Sequence, residues 1–301
     1  MTKLFSLTGL LFLFVNCAAS AQTADTFREE LQQIVTPKNA VVGISISGNN
    51  GIDTLTINGE GHYPMQSVFK FHIALAVLSQ IDKGKFSLDQ KIEILKKDLL
   101  PGLYSPIRDK YPDGTTLTIA EIIEYTVSQS DNVGCEILLR LIGGPQAVED
   151  YFTENNFRDI SIKFNEEQQQ GDRELQFQNW TTPAAANNVL SSFYYNKENL
   201  LSQNSYDFIW KVMKETETGA NRIKGQLPEG TVVAHKTGSS GTNKDNITEA
   251  TNDIGIVFLP NGKYFFISVF VTDSKENAET NEKIIADIAK AAWDYFTAMK
   301  K

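Results

Sequence analysis

Residues 67–83, with the sequence SVFKFHIALAVLSQIDK, carry apolar side chains on nearly every side of a helix. These side chains belong to Val68, Phe69, Phe71, Ile73, Leu75, Val77, Leu78 and Ile81. A surface helix keeps a polar face, so a helix that is apolar all round lies inside a domain. The pattern therefore predicts a central core helix, with the other elements packed around it.

Helical periodicity continues after this stretch. The segments that show it are Thr118–Gln129, Val133–Ile142, Pro145–Asn155, Pro183–Tyr195 and Ser205–Glu217. Between Asn165 and Asn179 the sequence is polar and has no useful period, and a loop of that length in a compact domain is usually functional or disordered. Residues 61–224 are therefore predicted to form an all-α lobe.

Strand patterns lie on both sides of that lobe. They cover Val41–Ile46, Asp53–Ile57, Thr231–Lys236, Asp253–Leu259 and Tyr264–Thr272. Because isolated hairpins are marginal in water, we expect both groups to join one antiparallel sheet of about five strands. Helices over Asp25–Val35 and Glu282–Met299 would flank it. The fold class is thus α/β, of the α+β kind, with residues 22–60 plus 225–301 forming the sheet lobe.

The first 21 residues are typical of a secretory signal peptide. Lys3 precedes a short apolar run that ends in Ala19-Ser20-Ala21, which predicts cleavage after Ala21 and export to the periplasm. The run is too short for stable membrane insertion as a spanning helix. Lipidation of Cys17 is the disfavoured alternative, because Phe14-Val15-Asn16 is a poor lipobox. Cleavage leaves Cys135 alone in an apolar stretch, where a buried inert thiol is expected rather than a nucleophile.

Charge and residue composition exclude several functional classes. The chain of 301 residues carries 28 Lys and Arg against 37 Asp and Glu, and this net charge of −9 argues against a nucleic-acid partner. The three histidines, His62, His72 and His235, are not spaced as a zinc site, so neither a metal nor another cofactor is expected. A Ser-His-Asp hydrolase is also disfavoured, because the sequence has no Gly-x-Ser-x-Gly elbow. A monomer is the default expectation.

Three short motifs carry candidate chemistry. In Ser67-Val68-Phe69-Lys70, positions i and i+3 share a helix face, so the lysine can reach the hydroxyl, and an apolar setting favours a lysine that accepts a proton. Ser130-Asp131-Asn132 lies at a helix junction, where it can relay a proton and hold an amide or simply cap a helix. Lys236-Thr237-Gly238 ends a strand, either as a ligand-binding edge or as ordinary turn residues.

Together, and in this order, the three motifs are the signature of class A β-lactamases and penicillin-binding proteins. The mature sequence resembles a class A serine β-lactamase over essentially its whole length. The runs Asn165-Glu166-Glu167-Gln168, Gln178-Asn179-Trp180 and His235-Lys236-Thr237-Gly238 are most similar to the PER/VEB-type extended-spectrum branch. The resemblance implies a sheet lobe and an all-α lobe with the active site between them, and a small-molecule β-lactam as substrate.

The resemblance also implies a role for individual residues. Ser67 would be the acylated nucleophile and Lys70 its proton partner, while Ser130 would pass a proton to the β-lactam nitrogen. Glu166, rather than the adjacent Glu167, would activate the deacylating water. The backbone N–H groups of Ser67 and Ser239 would form the oxyanion hole.

Substrate binding is implied for a second group of residues. Lys236, Thr237 and Ser239 would hold the substrate carboxylate, and Asn132 would bind the acylamide side chain, with Asp131 mostly structural. Arg222 would supply an extra cation and Tyr104 would flank the entrance, although each could be an ordinary surface residue.

Three positions depart from the family pattern. Phe164 and Asn179 replace an arginine and its aspartate partner, and Gln170 replaces an asparagine that helps to hold the hydrolytic water. The loop around Glu166 must therefore be held in another way, and we expect bulky cephalosporins to be accepted.

Two alternatives share parts of this pattern. A penicillin-binding D,D-peptidase has the same three motifs but no deacylating glutamate in a long loop, so the Glu166 segment argues against it. A non-catalytic β-lactam sensor domain would acylate and stall, and it would usually carry a membrane span, which the sequence does not display.

Overall fold

The computed structural model describes residues 23–298 except residues 52 and 197. The predicted signal peptide, Cys17 and Met299 lie outside the described residues. Within them the helices, numbered along the chain, are α1 (Ala24–Val35), α2 (Phe69–Asp82), α3 (Pro106–Lys110), α4 (Ile119–Ser128), α5 (Asn132–Ile142), α6 (Pro145–Glu154), α7 (Glu166–Gly171), α8 (Pro183–Tyr195), α9 (Gln203–Lys214) and α10 (Ala278–Ala298). None of these helices is both long and apolar enough to cross a membrane.

The strands fall into one large sheet and two small ones. Those of the described residues are β1 (Val41–Gly48), β2 (Leu55–Ile57), β3 (Tyr63–Pro64), β4 (Lys91–Leu95), β5 (Gly114–Thr118), β6 (Ile160–Ser161), β7 (Trp180–Thr181), β8 (Val233–Ser239), β9 (Thr251–Phe258) and β10 (Tyr264–Thr272). The large sheet has the order β2-β1-β10-β9-β8, and its neighbours pair antiparallel. The predicted five-stranded antiparallel sheet is confirmed, and both ends of the chain contribute to it.

Strand β10 joins two hydrophobic cores because its side chains alternate between the faces of the sheet. Phe265 and Ile267 belong to the core shared with α1 and α10, where the Phe265 ring stacks on Phe296 with centroids 5.1 Å apart. Phe266 and Phe270 belong to the other core, which contains the central helix α2. The sheet thus lies between a terminal helix pair and the helical middle of the chain.

Helix α2 is buried along most of its length, as its sequence predicts: residues 69–79 are all inaccessible or nearly so. It begins two residues later than predicted, because residues Gln66–Val68 form a 3-10 turn in front of it. Ser67 therefore lies in a tight turn at the start of the core helix, beside the end of strand β8.

Several elements of the middle segment were not predicted from the sequence. Strands β4 and β5 pair antiparallel, and β3, β7 and β6 form a small sheet of two-residue strands, which are too short to show a period. Residues 61–224 are thus mainly helical but not purely so. The division of the chain into two lobes stays a proposal.

The polar stretch between Asn165 and Asn179 is folded rather than an irregular loop. It contains α7 and a 3-10 helix over Arg173–Gln178. Asn165 and Gln168 form a reciprocal capping box at the start of α7, which supplies partners for its first free backbone N–H groups. Capping, rather than an apolar period, explains this short helix.

Candidate active site

Ser67 and Lys70 make the contact that their spacing predicts. Lys70 is fully buried, and its Nζ donates to Ser67 Oγ at 2.9 Å and to the backbone oxygen of Ser130 at 2.9 Å. The same ammonium donates to Asn132 Oδ1 and lies 2.9 Å from Glu166 Oε1. Lys70 therefore joins the nucleophile candidate to both neighbouring motifs and to the acidic residue.

The turn that presents Ser67 is held against the sheet. Asn252, on β9, donates from Nδ2 to the backbone oxygens of Pro64 at 2.8 Å and Met65 at 3.2 Å. Gly238 lies so close that a Cβ there would be only 2.4 Å from the Met65 oxygen and 3.2 Å from the Ser67 nitrogen. A side chain at position 238 would push away the turn Gln66–Val68, which contains Ser67. The glycine of the third motif therefore permits this turn to lie close against strand β8.

Ser130 lies between two buried lysines. Its backbone oxygen accepts from Lys70, and its Oγ accepts from Lys236 Nζ at 3.0 Å. Its φ of +61° is left-handed, a conformation uncommon outside glycine and frequent at functional sites. Burial, followed by the positive charges of Lys70 and Arg222, holds the pKa of Lys236 well below its usual value. The Ser130 hydroxyl therefore has Lys236 as its direct partner, while the Ser130 backbone is fixed to Lys70.

Asp131 and Asn132 have different surroundings. The Asp131 carboxylate is buried and accepts from Ser105 Oγ at 2.8 Å and from the backbone nitrogens of Ile107 and Gly134, each at 2.7 Å. It thereby ties α3 to the start of α5, a structural task. The Asn132 amide, by contrast, faces Lys70.

Glu166 and Glu167 differ clearly in position. The Glu166 side chain is 14% exposed and pairs with Lys70, whereas Glu167 is exposed. Both backbone nitrogens donate to Glu136 Oε1, at 2.6 and 3.1 Å. Burial, and then the nearby charges of the two glutamates, raises the pKa of Glu136 against the effect of these hydrogen bonds. Glu136, on α5, therefore anchors the first turn of α7.

Asn179 replaces the missing ion pair of the Glu166 segment. Its Oδ1 accepts from the backbone nitrogens of Lys163 at 2.8 Å and Phe164 at 3.0 Å, and its Nδ2 donates to the Phe164 oxygen at 2.7 Å. The side chain is only 1% exposed. One neutral amide thus closes the base of the segment, which accords with the expectation that this loop is held without an arginine–aspartate pair.

Arg222 is buried rather than a surface residue. Its Nη2 donates to Ser239 Oγ at 2.7 Å, and its Nη1 donates to the backbone oxygens of Gly238 at 3.1 Å and Asn252 at 2.9 Å. Its Nε pairs with Glu282 at 3.3 Å. The guanidinium therefore lies behind the end of β8, next to the residues implied for carboxylate binding. Thr237 is also buried there and shares a 2.6 Å hydrogen bond with Thr218 Oγ1.

Tyr104 and Gln170 lie at the edge of the site. Tyr104 is 58% exposed, and its backbone oxygen accepts from the Asn132 nitrogen at 3.1 Å. Gln170 contributes to an open cavity of about 380 Å³, which is also bordered by Gly102, Glu166, Arg173 and Ser240. Space is thus available directly beside Glu166.

Several residues of the site were missed by sequence reasoning. Glu136, Thr218 and Asn252 belong to no motif, and they reach the site from elements far apart in the chain. Cys135 is buried as predicted, and burial raises the pKa of its thiol well above its usual value. Among the residues that the structure describes, no cluster of His, Cys, Asp and Glu could hold a metal ion.

The fold and these contacts define a serine hydrolase that pairs its hydroxyl with lysines. Comparison with known proteins gives the family: residues 26–296 match the family described as "Beta-lactamase enzyme family". The chain belongs to this family, and it is a class A serine β-lactamase. The D,D-peptidase and sensor alternatives are not favoured.

Individual relatives are similar over nearly their full length. Beta-lactamase VEB-1 of Pseudomonas aeruginosa is 56% identical over 95% of this chain and 96% of its own. Extended-spectrum beta-lactamase PER-1 of the same organism is 41% identical over 96% and 92%. The crystal structure of TLA-1 extended spectrum beta-lactamase superposes with a TM-score of 0.88 at 49% identity, covering 91% of this chain and 99% of that one.

Proposed function

We propose that this enzyme hydrolyses penicillins and cephalosporins through an acyl-enzyme on Ser67, which water activated by Glu166 then releases, and that it thereby confers antibiotic resistance. One observation carries the proposal: the Lys70 ammonium contacts Ser67 Oγ and Glu166 Oε1 at the same distance, 2.9 Å. The groups for forming an ester and for hydrolysing it therefore meet at one buried cation.

Acylation begins with attack of Ser67 Oγ on the β-lactam carbonyl carbon. Lys70 first passes a proton to Glu166, 2.9 Å away, so that its neutral amine can take the Ser67 hydroxyl proton. As the C–N bond of the ring breaks, Ser130 gives its hydroxyl proton to the departing nitrogen. Lys70 then reprotonates Ser130, and Glu166 returns its proton to Lys70. Lys236 contacts Ser130 Oγ and would support this transfer electrostatically. The N–H groups of Ser67 and Ser239 would bind the oxyanion, and each such donor typically contributes about 3 kcal/mol to transition-state stabilisation.

Deacylation requires a base that can reach water beside the ester. We assign this task to Glu166, because its carboxylate is part-buried next to Lys70 while Glu167 is exposed. The water adds to the ester carbonyl as its proton passes to Glu166, and the bond to Ser67 Oγ then breaks with return of a proton to that oxygen. Glu136 and Asn179 keep the base in position.

Recognition of the substrate is assigned to the two sides of the site. Lys236, Thr237 and Ser239 would bind the carboxylate, with Arg222 behind Ser239 adding positive charge. Asn132 would bind the acylamide group, and the exposed Tyr104 ring would flank the entrance.

The proposal also covers the range of substrates, the location of the enzyme and its organisation into lobes. The space beside Glu166 supports acceptance of cephalosporins with bulky side chains, and so does the similarity to PER-1, an extended-spectrum beta-lactamase. We further propose export to the periplasm after cleavage behind Ala21, action as a monomer without a cofactor, and a division into two lobes with the site between them.

The test is a hydrolysis panel of penicillins and cephalosporins, with intact-mass measurement of the protein. Wild type should turn over both classes, whereas Ser67→Ala should lose turnover and form no adduct. Ser240→Ala, which alters a hydroxyl that bonds only nearby backbone oxygens and the Ala250 nitrogen, serves as a folded control. Retained turnover by Ser67→Ala would refute the proposed nucleophile.

A further inference from the structure

Glu249 has no part in the three motifs, yet it is the centre of a buried hydrogen-bond network. Its carboxylate is 6% exposed and accepts from Arg173 Nε at 2.6 Å, Gln176 Nε2 at 2.8 Å and Asn243 Nδ2 at 2.8 Å. Its backbone oxygen accepts from Thr272 Oγ1 at 2.6 Å, which fixes it to β10. Two separate segments, the 3-10 helix Arg173–Gln178 and the loop that contains Asn243, are therefore fastened to the sheet through one carboxylate.

One branch of this network reaches the nucleophile turn. Gln176 Oε1 accepts from Gln66 Nε2, and Gln66 directly precedes Ser67. Gln66 has a φ of +48°, a left-handed conformation that costs a non-glycine residue free energy and persists only when its surroundings hold it. The chain from Glu249 through Gln176 supplies such a restraint, and the Ser67 nitrogen that follows is an assigned oxyanion donor.

The second branch of the network runs through Arg173, which borders the cavity beside Glu166. Arg173 pairs with Glu249 and donates from Nη2 to the backbone oxygens of Ser240 at 3.1 Å and Gly241 at 3.3 Å. These oxygens follow Ser239, and Ser240 borders the same cavity as Glu166. Arg173 thus connects the segment that carries Glu166 to the residues that follow β8, and Glu249 holds its guanidinium in place.

We propose that Glu249 is a positioning residue of the β-lactamase reaction. It acts through Gln176 and Gln66 on the oxyanion-hole turn, and through Arg173 on the width of the groove for the substrate side chain. The proposal rests on the function proposed above. It predicts that a residue remote from the reacting atoms controls both acylation and the discrimination between small and bulky substrates.

Two substitutions separate the branches. Glu249→Ala removes both side-chain oxygens, so that Arg173, Gln176 and Asn243 lose this acceptor. Glu249→Gln keeps one oxygen for Gln176 and Arg173, but its amide NH₂ then faces the Asn243 NH₂ group. The side-chain amide of Asn243 cannot flip without losing hydrogen bonds, because its Oδ1 already accepts from the backbone nitrogens of Asp245 and Ile247. Glu249→Gln should therefore preserve the Gln66 branch. It should disturb residues 240–243, because it removes the negative charge that pairs with Arg173 and places its amide against Asn243.

The experiment measures the acylation and deacylation rate constants with two cephalosporins, one with a small and one with a bulky side chain. Glu249→Ala should slow acylation of both by about tenfold, the effect expected for one lost positioning hydrogen bond. Glu249→Gln should acylate the small substrate nearly as wild type does but change the KM ratio of the two substrates. Asp98→Asn, which disrupts another partly buried ion pair remote from the site, is the matched control and should leave both constants unchanged.

A double-mutant cycle distinguishes positioning from general loosening. If Glu249 acts through Gln66, Gln66→Ala combined with Glu249→Ala should slow acylation hardly more than either single substitution. Full additivity, or unchanged acylation in folded Glu249→Ala, would overturn the inference. If Glu249→Ala fails to fold, Glu249→Gln is combined with Arg173→Ala instead. The double variant should then change the KM ratio hardly more than either single substitution, and full additivity of the two changes would overturn the inference. A wild type that hydrolyses no β-lactam would instead refute the proposed function.

Discussion

Glu166 and Lys70 form an ion pair of 2.9 Å inside the site, although 96 positions separate them in the chain. Lys70 lies on the core helix, and Glu166 begins a short helix whose first turn is anchored by Glu136. The pair brings the carboxylate proposed for deacylation into contact with Lys70, which also contacts the proposed nucleophile Ser67. We therefore expect hydrolysis of the acyl-enzyme to depend on where Glu166 is held.

Glu166→Gln should separate the two half-reactions. Acylation of Ser67 should continue, because Lys70 and Ser130 stay in place, while hydrolysis of the ester should slow by at least about a hundredfold, a typical contribution of a general base. Intact-mass spectra should record a stable adduct with the mass of the opened β-lactam.

Glu167→Gln is the matched control, since it makes the same change one residue away on an exposed side chain. It should turn over substrate without accumulating an adduct. An adduct in Glu167→Gln, and none in Glu166→Gln, would show that Glu167 is the base and that the assignment to Glu166 is wrong.

Arg222→Ala should reduce kcat/KM by about tenfold, mainly through KM, because a charge-assisted contact near the substrate carboxylate is worth roughly 1–2 kcal/mol. The same change leaves the Gly238 and Asn252 oxygens short of a donor, so the free energy of unfolding should also fall.

Glu282→Gln offers the control for Arg222. It weakens the ion pair of the guanidinium without altering its contacts with Ser239 and the strands. Steady-state kinetics and thermal unfolding should find Glu282→Gln close to wild type. An unchanged kcat/KM in Arg222→Ala would leave the residue only a structural task.

Local patterns explain which parts of the fold could be predicted. The bounds of α8 and β10 agree with the predicted Pro183–Tyr195 and Tyr264–Thr272. Helix α8 has clear end signals, a capping Thr182 before Pro183 and a left-handed Asn196, and β10 is a nearly continuous apolar run. The Ser67–Lys70 contact could also be predicted, because the two residues are only three positions apart. By contrast, β3, β6 and β7 have two residues each and no period to detect.

Long-range contacts explain most of what was missed in the site. Glu249 and Gln176 are 73 positions apart, and Glu136 caps a helix 30 positions away, so neither contact leaves a local signature. The loss of the arginine–aspartate pair was visible in Phe164 and Asn179. The amide contacts that replace it depend on the fold, and only the structure displays them.

Asn179→Ala should loosen the segment that carries Glu166. It removes an acceptor for two backbone nitrogens and a donor to the Phe164 oxygen in a buried place, which should lower the free energy of unfolding by about 1–3 kcal/mol. Deacylation should slow more than acylation, because Ser67 and Lys70 are held by other elements. Thermal unfolding and single-turnover kinetics measure the two effects.

Asn179→Asp tests the neutral amide more sharply. The carboxylate still accepts from both nitrogens, but it cannot donate to the Phe164 oxygen and it brings a buried charge without a cation. Adding Phe164→Arg should recover part of the lost stability by creating an ion pair. A variant Asn179→Asp as stable as wild type would contradict the role given to the amide.

His72 should make the fold sensitive to acid. The imidazole is fully buried in α2 against Phe152, with ring centroids 5.1 Å apart, and burial lowers the pKa from its usual 6.5 to about 4 in spite of the contact with the Val68 oxygen. Because the unfolded chain binds this proton at a higher pH than the folded one, the free energy of unfolding should fall as pH drops from about 6.5 to about 4, by roughly 3 kcal/mol. Unfolding midpoints in denaturant across this range measure the slope. His72→Phe should flatten the dependence of the free energy of unfolding on pH. His62→Gln, which removes an exposed imidazole, should leave this dependence unchanged. An equal slope in wild type and His72→Phe would exclude His72 as the source.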